Sequence, residues 1–304
     1  MIYTITLNPS IDYVVQAKNV QLGSLNYADF ETKEPGGKGI NVSRVLTKLG
    51  VENKSWGFLG GFTGDYMENR LNEENLLHDF IRIQKETRIN IKLKSTEETE
   101  INGVSPAITK EDWDKLLQQL DEVKSGDTIV LAGSVPSSLP KDAYEIIMKK
   151  VSDRQVKVAL DTKGDVLKKT ISNRPFLIKP NQYELEDYFG VTIRSQEELI
   201  SYGKQLVVEG AQHVIISLAG DGALMIDEEN VYAANAPKGK VLNSVGAGDS
   251  LVAGFLARYV ETKDKLSAFQ YGVASGSATA FSIGLCEQDQ VEGLVKEIIL
   301  KKLS

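Results

Sequence analysis

Short runs of apolar, often β-branched residues recur along the chain with helix-like stretches between them, and this alternation constrains the fold more than any other feature. The runs occupy residues 2–7, 128–131, 156–160, 176–178 and 214–218. Apolar side chains at helical spacing fill the segment 107–123, and Ser125-Gly126-Asp127 ends it just before the next run. The alternation predicts an α/β fold in which helices cover both faces of a largely parallel central sheet.

Two early segments show a different pattern. In Ile89-Asn90-Ile91-Lys92-Leu93-Lys94 apolar and polar residues alternate, as they do in a strand with one exposed face. We expect the segments at about 13–33 and 88–104 to form a small β-strand lid that projects from the main sheet. Because no Pro- or Ser-rich linker and no internal repeat interrupts the chain, residues 1–304 are predicted to form a single domain that carries this lid.

Charge and cysteine content exclude several classes of function. The chain has 35 Lys plus Arg against 42 Asp plus Glu, so it lacks the broad positive field that binds a nucleic acid. Cys286 is the only cysteine, which excludes an internal disulfide and a thiolate metal cluster. The sequence shows no signal-peptide pattern and no apolar run of the roughly 18 residues that a membrane-spanning helix needs. We therefore expect a cytoplasmic protein without a nucleic-acid or membrane partner.

The most informative motif is Asn243-Ser244-Val245-Gly246-Ala247-Gly248-Asp249-Ser250, which leads into an apolar helix. Small residues let backbone amides approach an anion, and the start of a helix adds favourable partial charge. The turn can therefore hold the oxygens of a phosphoryl group, while Asp249 accepts a proton from an attacking hydroxyl as a general base. The alternative is an ordinary loop whose Asp caps the helix.

A second glycine-rich turn is Pro35-Gly36-Gly37-Lys38-Gly39-Ile40-Asn41. Its open backbone can wrap a sugar, with Asn41 bonding hydroxyl groups and Lys38 meeting a phosphate as a point charge. It lacks the Gly-Lys-Ser/Thr ending of a Walker A loop and is not a dinucleotide fingerprint. The alternative is a plain turn before a helix.

Two further motifs follow predicted strands. Asn181 and Glu184 share a face if a helix begins after Pro180, and together they can hold Mg²⁺ or its waters; a simple helix cap is the alternative. The glycines of Ser217-Leu218-Ala219-Gly220-Asp221-Gly222 suit a nucleotide lying against the backbone, and a tight hairpin to residues 223–226 is equally compatible with them.

These motifs, taken in order, resemble a known family. From Thr6-Leu7-Asn8-Pro9-Ser10-Ile11-Asp12 through Gly36-Gly37-Lys38-Gly39-Ile40-Asn41 to the Gly-Ala-Gly-Asp turn and the small-residue segment 272–280, the chain is similar to the ribokinase-like sugar kinases of the phosphofructokinase-B group. The resemblance implies a ribokinase-like fold, ATP as co-substrate and Mg²⁺ as cofactor.

The resemblance also implies roles for individual residues. Asp249 stands where the family's motif has the catalytic base, which implies this role for it. Gly246, Ala247 and Gly248 are implied to form the anion hole. The implied binding residues are Asp12, Gly37, Lys38 and Asn41 for the sugar, Arg88 for its phosphate, Asn181 and Glu184 for magnesium, and Ser217, Gly220, Gly222 and Gly248 for the nucleotide.

Within the family, Thr87-Arg88-Ile89-Asn90-Ile91-Lys92-Leu93 and Glu100-Ile101-Asn102-Gly103 are most similar to members that convert D-fructose 1-phosphate into fructose 1,6-bisphosphate. The tagatose-6-phosphate kinases are the nearest alternative. A non-catalytic sugar-phosphate sensor is a second one, although it would not need the anion-hole glycines and Asp249. Lids in this family often pair through exposed strands, which implies a homodimer.

Overall fold

Ten strands form one large sheet and four form a smaller one in the computed structural model, which describes residues 1–304. The strands are β1 (Ile2–Thr6), β2 (Ser10–Gln16), β3 (Phe30–Gly36), β4 (Asn53–Gly60), β5 (His78–Ile83), β6 (Arg88–Lys94), β7 (Glu98–Ile101), β8 (Thr128–Ala132), β9 (Lys157–Asp161), β10 (Leu177–Ile178), β11 (Val214–Ser217), β12 (Ala223–Ile226), β13 (Val231–Ala234) and β14 (Leu300–Lys302). The helices are α1 (Lys38–Lys48), α2 (Gly61–Glu73), α3 (Lys110–Gln119), α4 (Ala143–Lys150), α5 (Gly164–Thr170), α6 (Gln182–Phe189), α7 (Gln196–Glu209), α8 (Ala247–Thr262), α9 (Lys265–Ala280) and α10 (Gln288–Leu294).

The large sheet has the strand order β14-β13-β12-β11-β10-β9-β8-β1-β4-β5. Its strands run parallel from β5 through β11, and β12, β13 and β14 add an antiparallel edge. All five runs singled out in the sequence become strands of this sheet, within one or two residues of the expected bounds. The predicted α/β fold with a mostly parallel sheet is confirmed.

Two hydrophobic layers sandwich the sheet because alternate side chains of each buried strand point to opposite faces. On β8, Ile129 and Leu131 join the layer that α3 to α7 cover, whereas Val130 and Ala132 join the layer beneath α1, α8, α9 and α10. Trp56 and Trp113 are buried in the first layer.

The second sheet has the order β3-β2-β6-β7 and stands at one end of the large sheet. It falls within the segments expected to form a lid, although β2 and β3 extend beyond them to Ser10 and Gly36. The loop 17–29 joins β2 to β3, and β7 is exposed along its whole length. We refer to these four strands as the lid sheet.

Small residues let α8 and α9 approach closely. A side chain at Gly254 would place its Cβ 2.1 Å from Ser275 Oγ, and one at Gly272 would lie 2.8 Å from the Leu251 carbonyl oxygen. The glycines therefore hold α8 close against α9. No helix is both long enough and apolar enough to span a bilayer.

Candidate active site

A cleft of about 560 Å³ opens between the lid sheet and the carboxyl ends of the central strands. Its walls include Asn8 after β1, Ser134 after β8 and Asp161 at the end of β9, with Asp12 and Arg88 facing them from the lid sheet. Ligands of open α/β sheets bind at such strand ends. Asp12, Gly37, Lys38, Asn41, Arg88, Glu184, Gly246 and Asp249 all line this cleft.

Asp249 lies in the first turn of α8 and is only 7% exposed. Its Oδ2 accepts a hydrogen bond of 2.8 Å from Asn41 Nδ2. Gly246 precedes the helix with a φ of 81°, which glycine adopts without strain. The N–H groups of Gly248 and Asp249 donate to no backbone oxygen, so they are free to meet an anion. Ala247 donates to Ser244 O at 3.3 Å.

The surroundings of Asp249 raise its pKa to about 6. Burial is the main cause and the negative charge of Asp161 is the second, while Lys38, Asn41 and Lys179 act in the opposite direction. The carboxylate is thus ionised at neutral pH yet more basic than an exposed aspartate. Both properties suit a group that takes a proton from a hydroxyl.

Asp161 is the centre of a buried ion network that the sequence analysis missed. Its Oδ1 lies 2.8 Å from Lys38 Nζ and 3.7 Å from Lys179 Nζ, and the residue is only 1% exposed. Burial alone would raise the pKa of Asp161, but the two ammonium groups outweigh it and hold this pKa below its ordinary value. Burial lowers the pKa of Lys38, but the carboxylates of Asp161, Asp249 and Glu184 raise it above its ordinary value.

The geometry at Lys38 differs from the expectation that it meets the phosphate of the sugar. Its ammonium group lies beside Asp161, and Glu184 Oε1 is 3.9 Å away. None of the lid carboxylates pairs with it. Lys38 therefore belongs to the group of charges around Asp249.

Asn181 and Glu184 form a capping box at the start of α6. Asn181 Oδ1 accepts from the Glu184 N–H at 2.8 Å, and Glu184 Oε2 accepts from the Asn181 N–H at 3.1 Å. The helix cap that was one interpretation of this motif is therefore present. Glu184 Oε1 remains directed toward the cleft, and Asp161 Oδ2 is buried without a hydrogen-bond partner. Carboxylate oxygens of this kind fit a magnesium ion that keeps several of its waters.

Ser217, Gly220 and Gly222 lie at the carboxyl end of β11, next to the cleft but not on its wall. Ser217 is bridged to Asn181, which connects this turn to the start of α6. Gly222 has a φ of 90°, and a Cβ there would lie 2.0 Å from the Ala234 carbonyl oxygen. The turn also forms the hairpin between β11 and β12, so both interpretations of its glycines remain open.

At the lid end of the cleft, Asp12 accepts hydrogen bonds from Ser10 Oγ at 2.9 Å and Asn90 Nδ2 at 3.1 Å, and it pairs with Lys92 Nζ at 3.2 Å. A side chain at Gly36 would strike this carboxylate at 2.5 Å, which explains the glycine. Asn90 and Lys92 were missed, although they alternate with Arg88 along β6 and so share its face.

Arg88 is the cation at this end that has no carboxylate partner. Its Nη2 donates to the Asn8 carbonyl oxygen at 3.0 Å, and its Nε is buried without a partner. Asn8, also missed, donates from Nδ2 to Ser105 Oγ at 2.8 Å and to Ser134 Oγ at 2.9 Å. A guanidinium group without a carboxylate partner can receive a phosphate.

Comparison with known proteins agrees with this geometry. A family model described as "pfkB family carbohydrate kinase" matches residues 5–291. The chain is 52% identical to the 1-phosphofructokinase of Bacillus subtilis and 35% identical to the D-tagatose-1-phosphate kinase of Bacillus licheniformis, in both cases over 100% of each chain. Phosphofructokinase-2 from Escherichia coli in complex with fructose-6-phosphate superposes with a TM-score of 0.90, 27% identity and coverage of 97% of this chain and 98% of that one. A structure of that enzyme is described as a tetrameric inhibited form.

Proposed function

The chain belongs to the pfkB family of carbohydrate kinases, and from that premise we propose that it transfers the γ-phosphoryl group of ATP to the free primary hydroxyl of D-fructose 1-phosphate. The products are D-fructose 1,6-bisphosphate and ADP. The observation that carries the proposal is the buried Asp249 carboxylate, held by Asn41 beside free helix amides in a cleft that also contains an unpaired arginine.

Asp249 acts as the general base. The acceptor oxygen forms a new bond to the γ-phosphorus while its proton passes to Asp249, and the bond between that phosphorus and the bridging oxygen breaks with its electron pair leaving on ADP. The free amides of Gly248 and Asp249 lie beside those of Gly246 and Ala247 at the N-terminus of α8, and this turn stabilises the negative charge of the phosphoryl oxygens.

The lid end of the cleft holds the sugar phosphate. Arg88 binds the phosphate that the sugar already carries, because it is the cation there without a carboxylate partner. Asp12 accepts from sugar hydroxyls, and Gly37 and Asn41 line the opposite wall. Closure of the lid sheet would couple sugar binding to catalysis and exclude water that could hydrolyse ATP.

ATP is the co-substrate, and the family implies magnesium with it. Asn181 and Glu184 would hold the ion, in large part through water, and bound Mg²⁺ neutralises charge on the phosphate oxygens. The nucleotide lies along Ser217, Gly220 and Gly222 toward Gly248, since this turn is joined to Asn181 at the strand ends. A single buried thiol suits a reducing compartment, so we place the protein in the cytoplasm.

We further propose a homodimer that forms through the lid sheet. The loop between β2 and β3 exposes Leu22, Leu25 and Tyr27 to 96%, 79% and 80%, and such a patch is unusual unless it is covered by another molecule. Light scattering should therefore give twice the chain mass. Leu25→Glu should reduce this mass to that of one chain, whereas Val208→Glu, at an equally exposed site on α7, should leave it unchanged.

The test of the activity is an ADP-release assay with Mg²⁺, ATP and four acceptors: fructose 1-phosphate, tagatose 1-phosphate, tagatose 6-phosphate and fructose 6-phosphate. We expect kcat/KM for fructose 1-phosphate to exceed the others at least tenfold, which corresponds to about 1.4 kcal/mol of differential transition-state binding. Asp249→Asn protein is the control for contaminating kinases. A preference for a tagatose phosphate would reassign the substrate, and binding of sugar phosphate without ADP release would favour the sensor.

A further inference from the structure

The ammonium group of Lys38 lies against two carboxylates in the cleft. It contacts Asp161 at 2.8 Å and Glu184 at 3.9 Å. Lys38 and Asn41 are three residues apart on α1, so they share a helix face, and Asn41 bonds directly to Asp249. Lys38 thus occupies the Asp249 end of the cleft.

A second set of contacts also places Lys38 at the Asp249 end of the cleft. Asp161 also holds Lys179, and a Cβ at Gly248 would lie 3.0 Å from Lys179 Nζ. The network that positions Lys38 is therefore built against the first turn of α8. This is the turn whose free amides face the incoming phosphoryl group.

One lysine side chain cannot contact both ends of the sugar. Fructose 1-phosphate carries its phosphate on C1 and its free primary hydroxyl on C6, at opposite ends of the carbon chain. The C6 hydroxyl must lie at Asp249 to lose its proton, so the C1 phosphate lies away from Asp249. On the lid side, Arg88 is available for that phosphate, and Lys38 is not on that side.

We propose that Lys38 acts on the phosphoryl group in transit and not on the phosphate that the sugar already carries, and that Asp161 positions it for this role. The inference rests on the proposed kinase activity. As the phosphorus passes from the bridging oxygen of ATP to the C6 oxygen, negative charge accumulates on its outer oxygens, and a fixed ammonium group stabilises that charge. Lys38 keeps its own proton throughout, because Asp249 takes the proton of the hydroxyl.

Asp161 holds Lys38 without touching the reacting atoms, which makes it a positioning residue. It is almost fully buried, and its Oδ1 faces both Lys38 and Lys179. A lysine on four rotatable bonds loses much side-chain entropy when it is fixed. Because the Asp161 carboxylate fixes the lysine before ATP binds, this entropy is lost during folding and not during the reaction. The ammonium group is therefore already in place when the transition state forms.

The experiment compares Lys38→Ala with Arg88→Ala by steady-state kinetics and by calorimetric binding of fructose 1-phosphate without ATP. We expect Lys38→Ala to lower kcat about 10²-fold or more, as the loss of one charge-stabilising group does in other enzymes, while the Kd and KM for fructose 1-phosphate stay within about threefold of wild type. Arg88→Ala should instead raise the Kd and KM for fructose 1-phosphate and change kcat little. Propylammonium should partly restore kcat of Lys38→Ala, and tetramethylammonium at equal ionic strength should not, because it has no N–H to donate.

Three results would overturn the proposal. In the first, Lys38→Ala raises KM for fructose 1-phosphate and leaves kcat unchanged. In the second, kcat of Lys38→Ala equals that of wild type. In the third, kcat falls but propylammonium does not restore it. If Lys38→Ala does not fold, Asp161→Asn tests the same point with Lys38 intact: kcat should fall at unchanged Kd for fructose 1-phosphate, and a raised Kd would refute the assignment. Wild-type protein without kinase activity would instead refute the proposed function.

Discussion

Replacing Asp249 by asparagine should make the protein more stable while it removes most of the activity. The surroundings of this carboxyl raise its pKa from an ordinary value of 3.8 to about 6. A folded-state pKa above the unfolded one means that the folded protein holds the proton more tightly than the unfolded chain does. The ionised carboxylate therefore costs stability at any pH well above 6.

The size of this cost follows from the shift. A difference of about two pKa units corresponds to ~3 kcal/mol, since each unit is worth about 1.4 kcal/mol. Asparagine is neutral at every pH and resembles the protonated carboxyl in shape. Asp249→Asn should thus be more stable than wild type by up to ~3 kcal/mol at pH 8, or by about 5 °C in Tm. The difference should shrink as the pH falls below 6 and should vanish only well below pH 3.8, where the carboxyl is protonated in both states.

The assay is urea or thermal unfolding of both proteins at pH 5, 6.5 and 8. Asp187→Asn is the matched control, because Asp187 is exposed on α6 and makes no ion pair. A variant that is no more stable than wild type at pH 8, or a difference that does not shrink in acid, would refute the electrostatic account of Asp249. In the same variant kcat should fall about 10²- to 10⁴-fold, the usual contribution of a general base.

Three further predictions follow from individual contacts. Plots of kcat/KM against pH should show an acid limb with an apparent pKa near 6, because protonated Asp249 cannot act as a base, and an acid limb below pH 5 would contradict this. Arg88→Ala should raise KM for fructose 1-phosphate about 10- to 100-fold with little change in KM for ATP, and equal effects on both would exclude the assignment. Gly254→Ala should destabilise the protein by about 1–3 kcal/mol in urea unfolding, since its Cβ would meet Ser275, while Gly293→Ala, with open space around it, should be neutral or stabilising.

The fold class could be predicted because its signal is local. Each buried parallel strand is a short apolar run, and five such runs were visible in the sequence. Strands β4 and β5 gave a weaker signal: Asn53–Gly60 contains two glycines and no β-branched residue, and His78–Ile83 mixes charged and apolar positions. The order of the strands depends on the path of each crossover, which no local pattern encodes.

Most of the residues that the sequence analysis missed share one property. Asn8, Asp161 and Lys179 each come directly after a predicted strand, at the edge where parallel strands present their carboxyl ends. None of them belongs to a glycine-rich turn, so the sequence motifs gave them no role. Their position after a strand was the available signal.

The motif at Asn181 shows why local chemistry alone leaves two interpretations. An Asn followed three residues later by a Glu satisfies the first amides of a helix, and the structure shows this capping box. The same Glu184 directs its second oxygen into the cleft. Structural and functional uses of one side chain are compatible here because capping occupies only one of the two carboxylate oxygens.

The position of β1 explains why residues far apart in sequence meet at the site. β1 lies between β4 and β8 in the large sheet, and the chain that leaves it enters the lid sheet and returns through the glycine turn into α1. Helix α8 packs against α1, which brings Asp249 to Asn41 across 208 positions, while β9 brings Asp161 to Lys38 across 123. The turn around Lys38 therefore indicates a cation near a phosphate, but it cannot say which phosphate. That choice depends on the carboxylates that the topology places beside the ammonium group, and for Lys38 these are Asp161 and Glu184, at the end of the cleft where the base lies.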